Sequence, residues 1–251
     1  MQSRLVIRPV ALARHVGAAT LAGVIAGVLV GGLLGRVVMR IAGFTAGPGL
    51  VGSFTANGNR VGDITVRGTA DILLFVGLSS GLIGGVLYAA IEPWLRRLRP
   101  WHGLAYGAGL LAAFGFTVLD PSNLDFRRFG SAPLNVAMFA ALFLLFGVAT
   151  ALLFDRVRSL IDGGSKLARV TEALAFMALI PGAFATVLVL IAVSGLAEPL
   201  FPIVVVLGLL TATLVRWRGL PDPIGYAALG ATMLFGAART IAALPEILAG
   251  F

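Results

Sequence analysis

A chain of 251 residues that is 59% hydrophobic and only 12% charged lacks the polar residues for a water-facing surface, since soluble domains are about 25% charged. Its mean hydropathy of +0.99 makes the bilayer the expected solvent. The net charge of +8 sits in short clusters between apolar runs, so it is read as setting topology rather than as binding nucleic acid. With no cysteine, disulfides, thiolate nucleophiles and cysteine metal sites are excluded.

A spanning helix needs about 20 apolar residues. The first span is placed near 16–37, since no formally charged residue occurs between Arg14 and Arg36, and its apolar stretch is longer than the hydrophobic part of a cleaved signal peptide. It carries glycine at 23, 27, 31 and 35. Residues four apart share one slanted stripe of a helix, so Gly23, Gly27, Gly31 and Gly35 offer a groove that another helix can enter to near backbone contact. At the far end of this run Arg36 and Arg40 fall one turn apart, on one face.

The loop expected at 44–71 contains SFTANGNRVGDITVRG. Its Asn57-Gly58 between β-prone flanks predicts a small two-stranded flap. The same stretch has too few carboxylates for a calcium loop, and no metal is expected. A second span at 72–91, bracketed by Asp71 and Glu92, repeats the small-residue stripe with Gly77, Gly81 and Gly85, followed by Ala89. The basic run LRRLRP follows, flanked by Trp94 and Trp101, where interfacial indoles are favoured.

A third span is expected at 103–119. The polar segment DPSNLDFRRFG then supplies Asp120, Asp125, Arg127 and Arg128. The fourth span, 131–154, ends at DRVRSLIDGGSKLARVTE, which reads as a helix end, a glycine stop and a new helix start. A fifth, 173–197, contains Pro181-Gly182, a predicted kink and candidate hinge. A sixth is placed at 200–215. The last, 224–238, covers only about 22 Å and must continue past Arg239 to cross. The fold class expected is therefore all-α, a polytopic transmembrane bundle of about seven spans in one domain, 1–251.

Orientation follows lysine and arginine. With the N-terminus cytoplasmic, 12 of the 19 basic residues fall on that side and seven on the other. This style of composition points to a bacterial cytoplasmic membrane.

The sequence contains no HExxH, GxSxG or Walker A pattern. Ser79 and Ser80 lack a neighbouring base and are expected to bond back to their own helix. The spans as drawn contain no Asp, Glu or Lys, which argues against proton-coupled transport. Asn135, Thr150 and Thr186 are the polar residues nearest the interior. No catalytic set and no cofactor are indicated. The expected function is an accessory or scaffold subunit, or a binder of lipid or small anion at the outer face through Arg36, Arg40, Asp120, Asp125, Arg127 and Arg128. The alternative is a channel or uniport-type carrier with glycine-lined helices. Expected partners are the lipid bilayer and a second copy or a membrane subunit.

Overall fold

In hydrocarbon a backbone has no water to bond, so long apolar runs close their hydrogen bonds within themselves as helices. The computed structural model describes residues 9–45, 65–119, 131–196 and 222–249, and among these every regular element is helical. Helix α1 (Pro9–Ala26) passes into a π-helical stretch, Gly27–Leu34, and then α2 (Gly35–Thr45). A second rod is built likewise from α3 (Val66–Asp71), the π-helical stretch Ile72–Leu78 and α4 (Ser79–Leu95). A 3-10 turn, Arg96–Leu98, leads to α5 (His102–Phe114), and α6 (Ala132–Asp162), α7 (Lys166–Leu196) and α8 (Asp222–Leu248) follow.

Among the described residues five helical segments are long and apolar enough to cross a membrane: Val10–Thr45, Val66–Leu98, Ala132–Asp162, Lys166–Leu188 and Gly225–Leu248. The expected third span is shorter. Helix α5 has 13 residues, roughly 20 Å against a hydrocarbon core of about 30 Å, and it ends in a 3-10 turn, Gly115–Thr117. The expected sixth span, 200–215, lies outside the described residues. The seventh runs on through Arg239, which is exposed, to Leu248.

Local signals set the ends. Thr65 is extended (φ −98°, ψ 148°) and its hydroxyl accepts from the Gly68 N–H at 3.1 Å, a capping contact worth about 1 kcal/mol. The β-prone flank of the expected flap therefore turns into helix at Val66, and the flap itself, 53–64, lies outside the described residues. Helix α6 starts with a proline in its first turn, where the missing N–H costs nothing. It stops at Gly163 and Gly164, the latter at φ +65°, and Ser165 Oγ then accepts from Ala168 N–H at 3.1 Å to open α7.

The two π-helical rods pack antiparallel, with α7 alongside α1, α6 against α1, and α5 between α6 and α8. The core joins small residues of α1 (Ala18, Ala19, Ala22, Ala26) to large aromatics (Tyr88, Tyr106, Phe146, Phe154). The π segments serve the packing. In an α-helix a row spaced by four drifts about 40° per step; the wider π turn rotates less per residue, so its drift has the opposite sign. Changing from α to π at Gly27 therefore keeps the glycine row facing its partner longer than a uniform helix would.

Candidate functional site

The glycine rows of the two rods face each other. A Cβ at Gly27 would strike Gly77 O and lie 2.6 Å from Gly81 Cα, and one at Gly81 would lie 2.5 Å from Gly23 O. At Gly85 it would meet Thr20 Cα at 2.5 Å. Gly31 is looser, with Ser80 Oγ at 3.1 Å and Gly77 Cα at 3.6 Å from its virtual Cβ. Gly35 has left the seam, since a Cβ there meets only Val30 O, at 3.8 Å. A second close approach, which the sequence reading did not single out, joins α5 to α6: Gly147 meets Gly103 O at 2.5 Å and Gly107 meets Leu144 Cα at 2.7 Å. The spacing of Gly103 and Gly107 was its visible signal.

Of the expected anion-binding residues, Arg36 and Arg40 are half-buried on α2. The Arg40 guanidinium lies 4.7 Å over the Phe44 ring, and the Arg36 Nε is buried. Asp120, Asp125, Arg127 and Arg128 lie outside the described residues. Pro181 sits inside α7, which is helical on both sides of it. Gly182 is where α7 meets α1, its virtual Cβ 2.7 Å from Thr20 Cγ2, and Thr186 Oγ donates to Gly182 O at 2.8 Å.

At the opposite end from Arg36 the structure corrects the sequence reading. Glu92 does not bracket the second span; α4 continues past it through Pro93 to Leu95. Glu92 is 2% exposed, so an ionisable group does lie within a candidate spanning helix. The reason is local. Pro93 has no N–H to give the carbonyl of Ala89, four residues back, and His15 Nε2 reaches that carbonyl at 3.4 Å. The same nitrogen lies 3.9 Å from Glu92 Oε2. Arg96, one turn on, engages both carboxylate oxygens, Nε with Oε1 and Nη2 with Oε2 at 3.1 Å. The notch left by one proline is thus filled from α1 by an imidazole, with a carboxylate and a guanidinium beside it.

Aromatic rings line this site on the core side. His15 meets Phe154 edge-on at 5.3 Å, Phe154 meets Tyr88 at 5.3 Å, and Tyr88 meets Tyr106 at 5.0 Å. The Tyr106 hydroxyl donates to Gly84 O. Further pairs tie neighbouring helices to the same end: Arg14 with Glu172 of α7 at 2.6 Å and Arg99 with Asp155 of α6 at 3.0 Å. Trp94, expected at the interface, is buried under α8, where a Cβ on Gly225 would approach its ring to 2.5 Å. Trp101, on the other side of the basic run, is exposed.

No family model, curated protein or solved structure matches this chain. Function has to be read from the geometry. Ser79 and Ser80 donate to Phe75 O and Gly77 O of their own helix, an arrangement that occupies the hydroxyl protons. Among the described residues no three of His, Asp and Glu converge as metal ligands would. Both ring nitrogens of His102 and the Thr150 hydroxyl are buried without a hydrogen-bond partner among the described residues.

Proposed function

We propose that the chain is a non-enzymatic multi-pass protein of the bacterial cytoplasmic membrane, an accessory or scaffold subunit whose outer end holds a lipid headgroup or small anion. The observation that carries this reading is the seam itself. Gly23, Gly27, Gly77, Gly81 and Gly85 are filled by facing backbone, so the glycines are spent on contact and leave no bore along that interface. Arg36 and Arg40, one turn apart in the first half of α2, supply the cationic pair, and the sequence offers Asp120, Asp125, Arg127 and Arg128 as further candidates for the same face. The partners are the bilayer and a second copy or another membrane subunit.

The N-terminus is placed in the cytoplasm, with seven crossings and an outer flap. The start of α7 pairs with Arg14 through Glu172, and the start of α8 packs Tyr226 on Trp94 at 6.2 Å and on Arg97. Both helices therefore begin at the same end, an arrangement that an intervening crossing accounts for. Because the chain has no cysteine, single-cysteine variants read topology cleanly. Ser159→Cys is expected to label only from the cytoplasmic side and Thr45→Cys only from the outside. Labelling of both from one side overturns the threading.

Reconstituted in liposomes, the protein is expected to give no ion or solute flux above protein-free vesicles. A conductance that changes with Gly27→Ala or Pro181→Ala would establish the alternative, a glycine-lined channel or uniport-type carrier. The Arg36→Gln/Arg40→Gln double variant is expected to lose anion or lipid retained at the outer end while its melting temperature in detergent stays within a few degrees; unchanged retention removes that part of the proposal.

A further inference from the structure

An open groove of about 540 Å³ lies at the Arg99 end of the bundle. Trp101, Leu104, Ala105 and Ala108 form one wall, and their spacing is that of a single stripe of α5. Leu144 of α6 forms the other wall, and Leu98 and Arg99 close one end. The groove is thus apolar along about 10 Å of helix and cationic at one end only. Its polar end coincides with the start of α5, where Trp101 makes no side-chain cap, so the first-turn N–H groups add partial positive charge there.

The surroundings reinforce the polarity. Trp101 is 66% exposed, as an indole at the headgroup level would be. Arg14, Arg96, Arg97, Arg99, Arg156, Arg158, Lys166 and Arg169 stand at this end against Glu92, Asp155, Asp162 and Glu172. Arg99 gives Asp155 one nitrogen, Nη2, at 3.0 and 3.2 Å from the two oxygens. A guanidinium has five N–H donors, so others remain for an oxyanion, and both side chains of the pair are about half exposed.

We infer that this groove is a binding site for one anionic phospholipid, its phosphate at Arg99 and the start of α5 and one acyl chain laid along Leu104, Ala108 and Leu144. The order of cation, indole and aliphatic wall along the groove repeats the order of phosphate, glycerol level and chain in the lipid. An excess of guanidiniums selects the anionic headgroup over the zwitterionic one. This site is at the other end of the bundle from Arg36 and Arg40 and stands or falls separately from the outer-face proposal.

The test is native mass spectrometry of the full chain, delipidated in mild detergent and titrated with phosphatidylglycerol or phosphatidylcholine of identical chains. The wild type is expected to retain one phosphatidylglycerol about tenfold more tightly than phosphatidylcholine. Ala108→Trp places its ring in the groove from an exposed position, and it is expected to abolish that adduct without lowering the melting temperature. Arg99→Gln is expected to weaken retention of both lipids and to narrow the headgroup preference severalfold while a chain of either lipid still binds. Inorganic phosphate at millimolar concentration is expected not to compete; if it displaces the adduct, the ligand is the free anion and not the lipid. Equal retention of both lipids by the wild type overturns the inference. So does an adduct that survives both variants but is lost in the Arg36→Gln/Arg40→Gln protein.

Discussion

The Gly27→Leu variant is expected to separate the two glycine-faced rods and to lose at least about 3 kcal/mol, the upper part of the range for overpacked cores. The cost is high because the obstacle is backbone. The first added carbon meets Gly77 O and Gly81 Cα, and neither can swing aside as a side-chain tip would. Gly27→Ala is expected to destabilise as well, by about 1–2 kcal/mol, although alanine is the better helix former. Gly230→Ala is the control. Nothing lies within 4 Å of a Cβ at Gly230, so there the same substitution should be neutral or stabilise by up to about 1 kcal/mol. Unfolding in detergent, followed by circular dichroism, reads all three. A Gly27→Leu protein that melts with the wild type would mean that the seam contributes nothing.

What could be read in the sequence was whatever repeats along one helix. Glycine at every fourth position is such a pattern, and the helix end at Gly163-Gly164 is another. What could not be read depends on a partner far away in the chain. Glu92 reads as the edge of a span because it is charged, and Pro93 after it removes one helical hydrogen bond, yet His15 occupies the abandoned carbonyl and the helix goes on. Nothing near Glu92 announces an imidazole from α1. Trp94 looked interfacial for the same reason: its cover is Gly225 of α8. At Arg239 length decides: a run of 224–238 is too short to cross, and the helix continues past the arginine to Leu248. An exposed arginine close to a helix end can reach the headgroups along its aliphatic stem, so the charge need not stop the helix. Helix begins at Val66, itself β-branched, because the Thr65 cap and the long apolar run behind it favour helix, and strand propensity yields readily to context.

At the other end of the same helix pair, Glu92→Gln is expected to cost about 2 kcal/mol. Removing one partner of a buried ion pair typically costs 3–5 kcal/mol, but the Arg96 side chain is 45% exposed and can turn outward. The exposed pairs are the comparison: Arg14→Gln and Arg99→Gln each should cost under about 1 kcal/mol. If Glu92→Gln costs no more than these, its burial has no energetic consequence and the cluster is incidental. His15→Gln combined with Glu92→Gln should be non-additive by about 1 kcal/mol, because both act on one notch. Gly27 stands about 18 Å along the first rod from His15, well beyond the range of direct coupling. The Gly27→Ala/Glu92→Gln double variant is therefore expected to lose the sum of the two single effects. A loss well short of that sum would mean that α1 comes off α4 as one rigid piece once either contact is gone, with the polar end and the glycine seam acting as a single fastening.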